Sequence, residues 1–201
     1  MILAERPDGI RIIRLTRPEQ TVIYRSSFVG AYQAIFSDAP YNERFTPQEA
    51  RGVLESTLGT PQNIALLAVR GSSQVIGFGF AVPAIARQDI TRVLHGLISV
   101  KNSFYLSELG VLPAYRGAGL GRELINIRLQ NIDPLRYTHA VLRASATRNT
   151  SYEMYINMGF DDMGVYMEVP SFRTDGRQTT DRRLFLSRVI TAPEQPGSSG
   201  I

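Results

Sequence analysis

The chain has 201 residues, 43% of them hydrophobic and 20% charged, with a formal net charge of +4. This length allows one domain with a full core, and the absence of cysteine excludes disulfides, thiolate metal sites and a cysteine nucleophile. The N-terminal sequence lacks a signal-peptide pattern, and no apolar stretch reaches the roughly 18 to 20 residues that cross a bilayer, so we expect a cytoplasmic protein without a membrane partner.

The first elements in chain order are predicted to be a strand and two helices. Residues 10–15 mix apolar residues with arginine as a strand does, and a helical region follows over roughly 20–38. Thr46 and Glu49 stand at capping-box spacing with a proline in the first turn between them, which predicts a helix over about 47–58.

The middle of the chain predicts a hairpin and a central strand. Residues 63–83 are typical of two strands joined by a turn at 71–73, and residues 104–111 form a further apolar strand. The segment 85–102 between them is ambiguous and is expected to be partly helical.

A glycine-rich loop follows the central strand and precedes a predicted helix over about 119–131. The buried face of that helix carries Leu120, Leu124 and Ile127 at helical spacing. The other faces carry three charged residues, namely Arg122, Glu123 and Arg128.

The last third predicts a strand over 138–145, a short helix over 149–158 and two closing strands. The closing strands cover 165–170 and 182–190, with a polar loop over 171–181 between them. An exposed closing strand such as 182–190 would allow pairing between subunits, so a homodimer is possible.

The glycine loop does not match either of two familiar nucleotide-binding loops. A dinucleotide fingerprint that starts at Gly117 requires glycine at position 122, where the chain has arginine, and the sequence contains no Gly-Lys-Ser/Thr triplet of a P-loop. Bare backbone N–H groups at a helix N-terminus still bind phosphate well. The loop therefore predicts a phosphate site of another kind.

Two motifs resemble those of the GNAT superfamily of N-acyltransferases. Arg116-x-x-Gly119-x-Gly121 after Val-Leu-Pro is similar to the acetyl-CoA-binding signature, and 148–160 resembles the second motif, a short helix that ends in Tyr-x-x-x-Gly-Phe. The resemblance implies an α/β (α+β) fold, a single GNAT-like domain over 1–190 whose central mixed, mostly antiparallel twisted sheet is flanked by helices. The tail, 191–201, is expected to be disordered.

The resemblance implies acetyl-CoA as co-substrate and a backbone amide of the 104–111 strand as hydrogen-bond donor to the thioester oxygen. Gly110 suits a bulge or a close approach there, or it only packs under a helix. Two histidines without cysteine predict no metal site. The residues expected to bind the cofactor are Leu109, Gly110, Val111, Arg116, Gly117, Ala118, Gly119, Leu120, Gly121, Asn149 and Tyr152.

Tyr155 and Glu108 are the candidate catalytic residues. Tyr155 matches the tyrosine that protonates the departing CoA sulfur in the family, although it also fits a core position. Glu108 is the candidate base, or it pairs with an arginine such as Arg143. Asn149 stands one residue nearer the Gly-Phe pair than the family's asparagine, so the match departs from the family's pattern here. Tyr152, one turn before Tyr155, is expected as a substitute acid or a CoA contact.

The acceptor is predicted only by class. Tyr41, Glu43 and His95 are candidate acceptor-binding residues, since an aromatic ring and a carboxylate suit a cationic amine, although 41–45 also fits a surface turn. A small-molecule amine is favoured. A protein or aminoacyl-tRNA amine, and a non-catalytic acyl-CoA-binding module, are the alternatives; scattered arginines make nucleic acid a less favoured partner.

Overall fold

The computed structural model describes residues 1–191, which form eight strands and five α-helices. The strands are β1 (Ile2–Glu5), β2 (Ile10–Leu15), β3 (Ile64–Arg70), β4 (Gln74–Pro83), β5 (Ser103–Val111), β6 (His139–Ser145), β7 (Asp161–Phe172) and β8 (Gln178–Val189). The helices are α1 (Arg25–Ser37), α2 (Pro47–Gly59), α3 (Gln88–Leu94), α4 (Leu120–Gln130) and α5 (Thr150–Asn157). The predicted tail falls almost wholly outside the described residues.

All eight strands form one sheet in the order β1-β2-β3-β4-β5-β6-β8-β7. Every neighbouring pair is antiparallel except β5 and β6, which are parallel. The predicted mixed, mostly antiparallel sheet is therefore confirmed. β1, at one edge, has no counterpart among the predicted strands. No helix within residues 1–191 is long and apolar enough to span a membrane.

Both faces of the sheet are covered by helices, which explains why β3 is apolar almost throughout. Its even-numbered residues, such as Leu66, pack in the core beneath α4 and α5. Its odd-numbered residues, such as Leu67, pack beneath α1 and α2. The segment 85–102 contains the short α3, which covers a third, smaller core. Residues of β5 and β6, such as Tyr105 and Val141, form the sheet side of that core.

The predicted start of α2 is confirmed by its hydrogen bonds. The Thr46 hydroxyl accepts from the Glu49 amide at 3.2 Å, and the Glu49 carboxylate accepts from the Thr46 amide at 2.7 Å. α1 is shorter than the predicted 20–38 because residues 18–21 form a separate 3₁₀ turn that begins at a proline.

The prediction that Arg128 lies on an outer face of α4 is wrong. Its side chain is buried, with 1% of its surface exposed, and Nη1 donates to the carbonyls of Phe80 and Glu108 at 3.0 Å each. A guanidinium satisfies two buried carbonyls at once, which offsets part of the cost of burying its charge.

Two expectations about the closing strands are also wrong. β7 and β8 extend well into the predicted 171–181 loop and leave only residues 173–177 as their connection. β8 lies between β6 and β7 with both of its edges paired, so 182–190 is not an edge available to a second subunit.

Candidate active site

A large cavity opens where β5 separates from β6. Their parallel pairing runs from Ser103↔His139 to Leu106↔Leu142 and stops there, whereas β5 stays paired with β4 as far as Val111. The cavity has a volume of about 720 Å³, and the ends of both strands line it. The backbone of 107–111 on the β6 side therefore faces the cavity instead of a neighbouring strand.

A bulge on β5 lies at the start of this opening. Leu106 and Ser107 both stand opposite Ala81, between the paired positions Phe80↔Glu108 and Val82↔Tyr105. A bulge bends its strand and redirects the side chains beyond it. The buried Arg128 binds the backbone just beyond it.

For Gly110 the sequence suggested a bulge, a close approach or packing under a helix, and the structure shows a close approach. A Cβ atom at this position would lie 2.5 Å from Cζ of Phe78, the residue opposite it on β4. The ring of Phe78 fills that space, so the glycine lets β5 and the aromatic core beneath it approach closely.

The glycine loop forms the turn that leads into α4. Gly117 and Gly119 have φ values of 81° and 80°, and Gly119 is the N-cap of the helix. Such backbone strongly favours glycine. The loop is held from two sides, because Arg6 donates to the Ala118 carbonyl at 2.9 Å and Arg116 donates to the Val111 carbonyl at 3.0 Å.

The predicted cofactor-binding residues divide into three groups. Leu109, Gly110, Val111, Arg116, Gly121 and Asn149 line the cavity. Gly117, Ala118 and Gly119 form the loop beside it, and Leu120 is buried in the core, where it anchors the helix. Tyr152 does not line the cavity, because its ring is packed in the core and its hydroxyl donates to Asp162 at 3.4 Å.

Tyr155 projects from α5 into the cavity. Asn149 begins this helix by accepting a hydrogen bond from the Tyr152 amide at 3.0 Å, and Gly159 follows its end with φ of 79°. The Tyr155 ring packs edge-on against Phe160. Burial raises the pKa of Tyr155 to about 12, although the positive charge of Arg128 opposes this, so the phenol carries its proton at neutral pH.

Glu108 lies deep in the cavity and accepts a hydrogen bond from the Tyr32 hydroxyl at 3.3 Å. Removal from water raises the pKa of its carboxyl to about 7, against the opposing charges of Arg87 and Arg143. Among residues 1–191 no arginine forms an ion pair with Glu108 within 4.0 Å. Arg143 instead pairs with Asp89, at 3.4 Å.

Tyr41 and Glu43 of the cavity lining belong to a contact between two distant segments, which we call the clasp. It joins residues 41–44, between α1 and α2, to residues 172–174 at the end of β7. The Arg44 amide donates to the Phe172 carbonyl at 2.7 Å, and the Thr174 amide donates to the Asn42 carbonyl at 3.0 Å.

The acceptor-site predictions meet different outcomes. Tyr41 and Glu43 line the cavity, but Glu43 forms an ion pair with Arg183 of β8 at 2.6 Å, so its charge is already neutralised. His95 is exposed just after α3 and is not part of the lining. The sequence reasoning missed Tyr32 and Arg87, because nothing local shows that α1 and the start of α3 meet at Glu108.

Comparison with known proteins identifies the architecture. The family profile "Acetyltransferase (GNAT) domain" matches residues 83–173, which include β5, the glycine loop and α5. No curated protein sequence matches the chain.

Solved structures resemble the whole fold. The ribosomal-protein-alanine N-acetyltransferase of Brucella melitensis is 17% identical, with a TM-score of 0.62, over 89% of this chain and 98% of that chain. An aminoglycoside 6'-acetyltransferase type Ii is 16% identical, with a TM-score of 0.58, over 90% and 98%. The NatC complex bound to Gag peptide and CoA is 16% identical, with a TM-score of 0.56, over 90% and 99%. At these identities the likeness is one of fold.

Proposed function

We propose, on the premise that this chain belongs to the GNAT family of acetyltransferases, that it transfers the acetyl group of acetyl-CoA to the primary amine of a small-molecule acceptor. One observation carries this proposal. Glu108 and Tyr155, a carboxyl group suited to accept a proton and a phenol suited to donate one, line the same cavity where β5 separates from β6.

The residues around the glycine loop fit the pyrophosphate of CoA. The first N–H groups of α4 have no partner within the helix, and the helix dipole adds positive charge there. A Cβ atom at Gly121 would meet only Cγ2 of Val111, at 3.9 Å, so the protein leaves this approach open. Bound acetyl-CoA would supply the thioester that the amine attacks, and one backbone N–H among Leu109, Gly110 and Val111 would donate to its oxygen.

Glu108 and Tyr155 would move the two protons that the transfer requires. An alkyl ammonium has a pKa near 10.4, so the acceptor must lose a proton before its nitrogen attacks, and Glu108 accepts that proton. As the C–N bond forms, the C–S bond breaks and the electron pair leaves with sulfur. Tyr155 donates its proton to the thiolate and regains one from the nitrogen of the new C–N bond, which must lose a second proton to become a neutral amide. The products are the amide and free CoA, and the first proton stays on Glu108 until it passes to water. Both substrates are bound together, so no acyl-enzyme is formed.

The clasp supports a small acceptor over a macromolecular one. It joins the α1–α2 connection to the end of β7 through backbone hydrogen bonds, and the Glu43–Arg183 ion pair lies beside it. The cavity that the clasp borders has a volume of about 720 Å³, which is in the range of small-molecule sites. A metabolite-sized amine fits inside the cavity as it stands.

Release of free thiol from acetyl-CoA, measured over a panel of acceptors, tests the proposal. The panel contains small primary amines, peptides with free N-termini and aminoacyl-tRNA. We expect release with small amines and little with the other two. Faster release with peptides or aminoacyl-tRNA would show that the acceptor is a macromolecule and contradict a small-molecule acceptor. Tight binding of acetyl-CoA without thiol release in the presence of any acceptor would indicate a non-catalytic module.

A further inference from the structure

Two arginines from different elements line the acceptor end of the cavity. Arg87 stands just before α3 and Arg143 lies on β6, and both belong to the lining together with Glu108. Their guanidinium groups lie 5.5 and 5.7 Å from the ring centre of Tyr105. The Tyr105 hydroxyl accepts from Nε of Arg143 at 2.8 Å, which fixes that side chain.

The carboxylate next to this arginine pair does not neutralise both charges. Asp89 binds Arg87 through two bonds, at 3.1 and 3.0 Å, and lies 3.4 Å from Nη1 of Arg143. One acid therefore serves two guanidinium groups. The other acid on this side, Glu43, is paired with Arg183. Asp89 thus leaves one positive charge of the arginine pair unmatched, close enough to Glu108 to lower the pKa of its carboxyl.

Both arginines keep a donor group without a partner. Within residues 1–191, neither Nη1 of Arg87 nor Nη2 of Arg143 donates a hydrogen bond. The side chains are 37% and 17% exposed. Guanidinium groups that are part-buried and incompletely paired bind carboxylates strongly, because charge-assisted hydrogen bonds gain strength where water is excluded.

We propose that the acceptor carries a carboxylate beside its amine, as α-amino acids do, and that Arg87 and Arg143 bind this carboxylate while Glu108 faces the amine. The inference rests on the proposed function, because it names the substrate class of the same site. The arginine pair then holds the carboxylate of the acceptor, and Glu108 holds the amine nitrogen that attacks the thioester. A simple amine would leave the arginine pair unsatisfied.

Matched acceptors provide the test. Thiol release from acetyl-CoA is measured with the standard α-amino acids, with their primary amides and with the amines that lack the carboxylate. We expect kcat/KM for the preferred amino acid to exceed that of its amide by about 100-fold, the effect of one or two charge-assisted bonds. Equal values for acid and amide would overturn the inference but leave the acetyltransferase proposal intact. Failure of every amine would overturn both.

Variants of the arginines connect the preference to the structure. Arg87 and Arg143 also lower the pKa of Glu108, so the variants are compared at pH ~9, where Glu108 is ionised in the wild type and in both variants. Arg87→Gln and Arg143→Gln should each lower kcat/KM for the amino acid by about tenfold or more relative to the change for the amide. Arg92→Gln is the matched control, because Arg92 is an arginine of α3 outside the cavity lining. Equal losses for acid and amide in both cavity variants would contradict a carboxylate site, and a loss confined to the acid would support it.

Discussion

Two residues of the cavity carry the proposed proton transfers, and each holds its proton for a physical reason that can be tested. Glu108 is shielded from bulk water but faces the cavity, and its environment raises the pKa of its carboxyl to about 7. Tyr155 is buried and its pKa rises to about 12. One group therefore titrates near neutral pH, while the other remains a donor throughout that range.

Replacing Glu108 by glutamine should increase stability at alkaline pH. A carboxyl whose pKa is raised by folding binds more protons in the native state, so the free energy of unfolding falls as pH rises from about 4.5 to about 7. The glutamine side chain never ionises and can still accept the bond from Tyr32. We expect Glu108→Gln to raise the free energy of unfolding by about 3 kcal/mol at pH ~8 and much less at pH ~5. Urea unfolding at both pH values measures it; a difference independent of pH would argue against a raised pKa.

Tyr155→Phe should lower kcat by about 100-fold, because it removes the proton donor while the ring keeps its packing. Tyr152→Phe is the matched control, since its hydroxyl binds Asp162 outside the cavity. The turnover of both variants is measured at saturating acetyl-CoA. Similar turnover in the two variants would remove Tyr155 from the proton transfer.

At the scale of single elements, α4 contributes at both of its ends. Its N-terminus presents the glycine loop, and its C-terminal half carries Arg128 beneath the β5 bulge. The same helix thus shapes the phosphate site and holds the backbone at Glu108.

Gly121→Val should weaken acetyl-CoA binding by about tenfold or more without disturbing the fold. A Cβ atom at this position meets only Cγ2 of Val111, at 3.9 Å, so we attribute a loss of affinity to blocked approach of the ligand. Gly52→Val, at a helical glycine of α2 that also has open space around it, is the control. Calorimetric titration of both variants compares them, and equal affinities would place the pyrophosphate elsewhere.

Arg128→Met should destabilise the protein by about 3 kcal/mol, because it leaves the Phe80 and Glu108 carbonyls buried without a donor. Arg122→Met, at a more accessible arginine of the same helix, should change stability by less than about 0.5 kcal/mol. Denaturant unfolding gives both free energies. Equal values would mean that water or a backbone shift satisfies those carbonyls.

These elements also show what the sequence predicts and what it does not. The capping box at Thr46 and the glycines before α4 act within a few residues, so their local pattern was sufficient. The role of Arg128 depends on carbonyls of β4 and β5, which are 48 and 20 positions away in the chain. An arginine on a helix normally points to water, and only the assembled sheet places acceptors beneath it.

At the scale of the whole molecule, the sheet and its two helical layers bring distant segments to one cavity. Tyr32 of α1, Glu108 of β5 and Tyr155 of α5 line it together, and the clasp contributes Tyr41 and Glu43 to the lining. The sequence predicts the proposed donor side through contiguous motifs. The proposed acceptor side comes from at least four separate segments, so no local pattern could reveal it. Cytoplasmic location and a homodimer stay predictions.

The pH dependence of acetyl transfer, measured in parallel for the wild type and Glu108→Gln, tests the central claim most directly. The kcat/KM of the wild type is divided by that of Glu108→Gln, which removes the effect of the acceptor's own titration because both enzymes use the same acceptor. The account predicts that this ratio rises about tenfold per pH unit up to about pH 7 and is constant above it, as Glu108 ionises. A ratio near one at every pH would contradict Glu108 as the base.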